Sequence, residues 1–274
     1  HLVEIEADLN VGLHSFNIVG LADKAVSEAK DRVNSALKNS GIKPPTKENR
    51  RITINLAPAD IKKAGSRFDL PIALSYLLAS EQVRKFDLDD KMFIGELSLD
   101  GKLRPVNGSL NIAILAKKKG LREFFLPAEN APEGAAIDGL VVFPVKSLTQ
   151  LIAHLEGREM IKPQPRTPLK HQFPPTLVKL DDVKGLPGAK RALVIAASGN
   201  HNLLMSGPPG TGKTMLAQAL VSVLPPPTAE EIIEVTRIYS ASGLNTETPF
   251  INWRPFRSPH HSASLVSIMG GGPN

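Results

Sequence analysis

The sequence predicts two mixed α/β domains joined by an extended connector, on three observations. Up to residue 160, short runs of alternating apolar residues interleave with segments of helical spacing. From 161 to 175 that periodicity stops, and Pro163, Pro165, Pro168, Pro174 and Pro175 sit among Lys, Arg and Gln, the composition of a stiff linker. Beyond it, Gly207-Pro-Pro-Gly-Thr-Gly-Lys-Thr214 spells G-x-x-x-x-G-K-T between an apolar run and a helical pattern. At 274 residues the chain has room for about two domains, each able to bury its own core.

The first 160 residues give the following elements in order. Val3, Ile5 and Ala7 alternate with Glu4, Glu6 and Asp8, a strand with one wet face, and Phe16–Val19 offers a second. Ala25, Val26, Ala29, Val33, Ala36 and Leu37 recur at helical spacing and Gly41 supplies a stop. Ile52, Ile54 and Leu56 alternate as a strand, and Leu70–Leu78 is apolar enough for a buried helix. Asp100-Gly101 between strand-like runs predicts a two-residue hairpin. A helix over Gly108–Lys119 is closed by Gly120, with Lys117–Lys119 as cations at its negative end. Strands follow at Phe124–Leu126 and Leu140–Phe143, then a capping box Ser147-Leu-Thr-Gln150 opens a helix ending near Gly157.

The octet carries the chemistry. His201–Ser206 reads as a buried strand and Met215–Val221 as a helix, which is the setting of a phosphate-binding loop. Glycines let successive backbone N–H groups curl inward onto phosphate oxygens, and the helix start adds its unpaired donors. Gly207, Pro208, Pro209, Gly210, Thr211 and Gly212 form this loop, Lys213 reaches the β- and γ-phosphates, and the Thr214 hydroxyl ligates Mg²⁺. The bound species is ATP or GTP. After Pro225-Pro-Pro227, Thr228 and Glu231 make a second capping box, so Glu230-Glu231 reads as a helix start and not as a metal-binding strand end. No apolar run ending in Asp-Glu follows Thr214, so the acidic strand that would complete a hydrolytic site is missing. The chain opens at His1 inside a strand pattern and ends about 60 residues past Thr214; it is expected to be truncated at both ends.

Bulk properties exclude several classes. With 42% hydrophobic and 22% charged residues the composition is that of a globular protein. No apolar run approaches the roughly 18 residues of a membrane span and no signal peptide opens the chain. Zero cysteines exclude disulfides, thiolate metal sites and a Cys nucleophile, and suit a cytoplasmic location. Net charge +6 and pI near 9.5 accommodate nucleic acid without demonstrating it.

Several stretches together carry a resemblance: Phe16-Asn-Ile-Val-Gly-Leu21, Asn55-Leu-Ala-Pro-Ala59, Phe68-Asp-Leu-Pro-Ile-Ala73, Gly95-Glu-Leu-Ser-Leu-Asp-Gly101, the octet, and above all Arg254-Pro-Phe-Arg-Ser-Pro-His-His261. They resemble the magnesium-chelatase-related AAA+ ATPases known as the ComM or YifB family. The resemblance implies an α+β Lon-protease-like domain (ribosomal protein S5 domain 2-like) over 1–160, a linker over 161–175, and part of an α/β P-loop AAA+ domain over 176–274. It implies ATP and Mg²⁺ as cofactors, a homo-oligomer, usually a hexamer, and hydrolysis that drives branch migration of branched or single-stranded DNA during natural transformation. A protein unfoldase or a chelatase-type metal-insertion ATPase are the alternatives.

Carried over residue by residue, the Lon nucleophilic serine falls at or near Asp69 and its lysine at or near Leu110. Ser66 and Ser109 are close, but Asn107–Ala116 holds no lysine, so the serine–lysine pair is not expected. Val183-Lys184-Gly185 is either an ordinary helix-entry loop or the segment that lies against adenine, which puts Val183 and Gly185 among the nucleotide contacts. Arg254, Arg257, His260 and His261 are either a phosphate or DNA contact group or a subunit-interface loop. The adjacent histidines are expected to point to opposite sides. Gly270–Gly272 falls where this clade inserts a DNA-contacting hairpin.

Overall fold

The computed structural model describes residues 1–47, 49–174, 178–244 and 248–270. The chain divides into two compact units, His1–Pro168 with Thr236–Phe250, and Leu169–Val235 with Ile251–Asn274. Its architecture is mixed α/β with a parallel sheet.

The first unit opens with β1 (Glu4–Val11), β2 (Ser15–Val19), α1 (Lys24–Ser27), α2 (Ala29–Asn39) and β3 (Arg50–Ala57). The sheet order is β1-β3-β2, with β1 antiparallel and β2 parallel to β3. Ile52, Ile54 and Leu56 are fully buried, because the alternation of β3 turns all three onto one face. That face packs on Val33 and Leu37 of α2 and on Leu70, Leu74 and Leu77 of α3 (Asp69–Ala79). The spacing from Ala25 to Leu37 forms two helices and not one, breaking at Glu28. Asp23 caps the first through its side chain, which accepts from Val26 N at 2.8 Å.

A second layer is built from β4 (Lys91–Phe93), the hairpin β5 (Glu96–Leu97) and β6 (Leu103–Arg104), α4 (Ser109–Lys118), β7 (Glu123–Pro127), α5 (Ala131–Gly134), β8 (Val141–Val145) and α6 (Leu148–Leu155). Strands β4, β7 and β8 pair in parallel, and their register puts Phe93, Phe125 and Phe143 side by side. The rings stack at 4.9 and 4.7 Å. The hairpin loop is three residues long, not two. Ser98 N donates to Lys102 O at 2.9 Å, and Gly101 takes φ 83° to close the turn, a conformation that favours glycine.

The second unit contains α7 (Pro187–Gly199), α8 (Lys213–Ala219), α9 (Ala229–Ser242, belonging here up to Val235) and α10 (Leu265–Met269). The strand expected at His201–Ser206 is not formed. No strand is present in this unit among the described residues, so the run has no strand beside it to form a ladder, and Leu204 is 95% exposed. An apolar run becomes a strand only where a ladder partner is supplied. Residues 175–177, and Gly271 and Gly272 of the glycine run, lie outside the described residues. Among the described residues no helix is long and apolar enough to cross a membrane.

Candidate nucleotide site

The octet forms a surface loop that leads into α8. Gly210 and Gly212 adopt φ 79° and 83°, left-handed values that cost a side-chain-bearing residue steric strain. Nothing lies within 4 Å of where a Cβ on Gly210 would stand, so the loop is open on that side. Thr211 Oγ1 donates to Pro208 O at 2.9 Å and ties the turn together. The Lys213 ammonium folds back over the loop, donating to Gly207 O (2.8 Å), Pro208 O (2.5 Å) and Thr211 Oγ1 (3.3 Å). Its partners among the described residues are thus neutral oxygens, which an anionic phosphate outcompetes because the attraction between two opposite full charges adds to the hydrogen bond. Pro209 and Thr214 are exposed at the surface beside it.

These residues fit a nucleotide phosphate and its metal. A lysine ammonium and glycine backbone match an anion, and the Thr214 hydroxyl offers one oxygen to Mg²⁺. No cluster of metal-binding side chains exists among the described residues. That is compatible with Mg²⁺, which keeps most of its water and takes phosphate oxygens.

Val183 is buried with Leu216 and Ala219 of α8, and Met205 packs on the same cluster. Gly185 and Leu186 both adopt left-handed φ, 66° and 54°, turning the chain into α7. A Cβ on Gly212 would stand 3.8 Å from Leu186 Cδ1. Segment 183–186 therefore lies against the loop and α8. Sequence alone did not foresee that Val183 is a core residue of this helix pair.

Further along, Thr228 and Glu231 form the expected reciprocal cap at 2.8 and 3.2 Å. Arg254 then grips the same carboxylate with both Nη atoms, at 3.1 and 3.0 Å, while its Nε donates to Pro225 O at 2.8 Å. This arginine is occupied by a bidentate pair, which fastens the 254 loop to the start of α9. The two histidine rings do not diverge. They lie 4.1 Å apart, centroid to centroid, and Nδ1 of His260 bonds Ser262 Oγ at 2.7 Å. A turn at 261–262 brings adjacent side chains together where an extended loop would separate them.

In the first unit Asp69, at or near which the resemblance sets the Lon serine, is a fully buried carboxylate. Asp69 accepts from Arg32 Nε (2.6 Å), Arg32 Nη2 (2.9 Å) and Leu97 N (3.1 Å). Its hydrogen bond to Asp69 raises the Arg32 guanidinium above its ordinary range. Burial pushes the Asp69 carboxyl up, against the pull of Arg32 and Leu97. Leu110 is fully buried. Ser66 donates to Glu96, and Ser109 to Glu133, so both neighbouring serines hold carboxylates.

Two family models match the chain, "Subunit ChlI of Mg-chelatase" over residues 5–130 and "Magnesium chelatase, subunit ChlI" over 179–274. Together with the octet they define its class as a ChlI-type P-loop protein. The chain is 45% identical over 277 residues to the competence protein ComM of Haemophilus influenzae, covering 99% of this chain and 53% of that protein. It is 43% identical over 273 residues to YifB of Escherichia coli, covering 98% and 52%. A weaker likeness, 24% over 176 residues, relates 62% of the chain to 21% of the Lon protease of Brucella suis. The chain belongs to the ComM/YifB family of magnesium-chelatase-related proteins, and it spans about half the length of the curated relatives it matches.

Proposed function

We propose that the chain is part of a cytoplasmic, Mg²⁺-dependent AAA+ ATPase that works as a homo-oligomer, a hexamer by family resemblance, to remodel branched or single-stranded DNA. The observation that carries the reading is the Lys213 ammonium poised over a glycine loop on neutral oxygens that a phosphate can replace. Gly207–Thr214 would hold the triphosphate, Lys213 and Thr214 acting on phosphate and metal, with Val183 and Gly185 beside the base. Mg²⁺ would neutralise phosphate charge. The name of the Haemophilus relative, a competence protein, points to DNA as what the family handles, and net charge +6 accommodates it. Residues 1–160 would form a Lon-like domain without peptidase activity, since the resemblance sets the serine and lysine at or near Asp69 and Leu110. A linker over 161–175 and an AAA+ part over 176–274 would complete the chain. After Thr214 no strand carrying paired acids appears among the described residues. On this reading the chain binds MgATP and hydrolyses essentially none by itself.

The test is the ATPase rate of the complete gene product, titrated in parallel with four-way junction DNA, linear single strands and an unfolded protein. Stimulation by junction DNA, abolished by Lys213→Ala, supports the reading. Stimulation by unfolded protein alone replaces it with an unfoldase, and a response to none of the three returns the chelatase class.

A further inference from the structure

One end of the first sheet carries two aliphatic side chains in open solvent. In the register Val11 faces Arg50, and Ser15 of β2 faces Arg51. Gly12 N donates to Asn49 O at 3.3 Å, so the β1–β2 connection and the approach to β3 lie side by side. Val11 is 95% and Leu13 94% exposed. Val11 continues the inward phase of Ile5, Ala7 and Leu9, but beyond the helix layer that covers those residues. Around the pair stand exposed His14, Lys47, Arg50 and Arg51. Between 43 and 51 the sequence has four basic residues and one acid, Glu48. On β1, Asp8 is engaged by Asn10 Nδ2 at 2.5 Å.

We infer that this tip is a contact element for the open base steps of branched DNA, with Val11 and Leu13 laid against base faces and Lys47 and Arg51 on the flanking phosphates. The inference rests on the DNA reading above and assigns it a surface. Aliphatic wedges beside cationic residues are the combination that nucleic acid takes, base faces being apolar and phosphates anionic. The cationic rim decides against a second copy, because a symmetric contact would set Arg51 against its like. Three strand ends span about 10 Å, a width that enters a major groove of about 12 Å or the mouth of a junction. Wedging into a linear duplex costs unstacking, whereas a branch point offers base faces already open. The tip therefore selects branched over linear DNA.

The experiment is fluorescence anisotropy of the 274-residue chain on a labelled four-way junction and a linear duplex of the same sequence, at several salt concentrations. The double variant Val11→Ser/Leu13→Ser should lose about tenfold in junction affinity while duplex affinity changes less than about twofold. The double variant Lys47→Gln/Arg51→Gln should weaken both and reduce the salt slope by about 2. Thermal melts check that these surface changes leave the fold in place. Unchanged junction affinity in the aliphatic variant overturns the inference and leaves the DNA reading standing. Absence of DNA binding by the unaltered chain overturns the inference, and its absence in the complete gene product as well removes the DNA reading. Self-association lost in the aliphatic variant, with junction affinity intact, overturns the inference by giving the tip to a second copy.

Discussion

At Asp69 a carboxylate lies out of reach of water, with both oxygens held by Arg32 and one also by Leu97 N. At Lys213 an ammonium lies in a surface loop, held by two carbonyls and a hydroxyl of the loop itself. The first group holds α2, α3 and β5 together. The second is a charged group whose partners are neutral and replaceable. A site ready for a ligand has polar atoms satisfied weakly and locally. One that holds the structure has them satisfied strongly and at long range, here across 37 residues.

The largest expected effect breaks the comparison on the Asp69 side. Asp69→Ala leaves the Arg32 charge without its bidentate partner and Leu97 N without an acceptor. Loss of one member of a buried pair costs about 3–5 kcal/mol, read as a fall in the urea midpoint at unchanged slope. Asp69→Ser, which introduces the residue type of the Lon nucleophile, should destabilise to a similar degree and cleave no peptide. A fall of less than about 1 kcal/mol would class this pair with surface ion pairs and remove the contrast.

On the other side, Lys213→Ala should leave stability within about 0.5 kcal/mol, as surface changes do. MgATP affinity should fall on the order of 10–100-fold, the worth of hydrogen bonds to a charged group. Calorimetric titration of both forms measures it. Equal affinity would mean that the ammonium never leaves its loop carbonyls.

The same distinction decides what the sequence made legible. The helix after the octet, the capping box at Thr228, and the alternation of Ile52, Ile54 and Leu56 are local patterns, and each takes its expected form; at Ser147 only the hydroxyl half of the box forms, since Gln150 Oε1 accepts from Lys146 N instead of Ser147 N. What could not be read depends on distant partners. His201–Ser206 has the composition of a buried strand, but no strand stands beside it. Arg254 reads as part of a phosphate or DNA contact group or of a subunit-interface loop, and the sequence does not show that Glu231, 23 residues earlier, takes both its Nη atoms. The candidate site lies mostly within eight consecutive residues, which makes it legible as a local pattern. Val183 packs with Leu216, which no local pattern announces. The exposed tip at Val11 and Leu13 was missed for the converse reason, since alternation alone assigns Val11 to the buried face.

The smallest effect sharpens the comparison with a third polar group, His154. Its ring is buried beside Phe125 and Phe143, at 5.5 and 4.9 Å, and Nδ1 accepts from Ile161 N at 3.0 Å. Burial holds the imidazole below its usual range; Glu123 pulls it up and Lys91 pushes it down, both less strongly. Folding therefore favours the neutral ring, and the unfolded chain binds more protons. Stability from this residue is complete above about pH 6.5, the range of an unfolded histidine, and is lost as pH falls from there through the folded value. The slope cannot exceed about 1.4 kcal/mol per pH unit for one proton. Urea midpoints from pH 8 to 5.5 should decline for the native chain and decline less for His154→Gln, which keeps an acceptor for Ile161 N but no titrating group. Parallel declines would mean that the exposed histidines set the slope. His154 would then be a buried polar group whose protonation the fold tolerates, unlike Asp69, and burial alone would not separate the groups that hold this structure from those free to act.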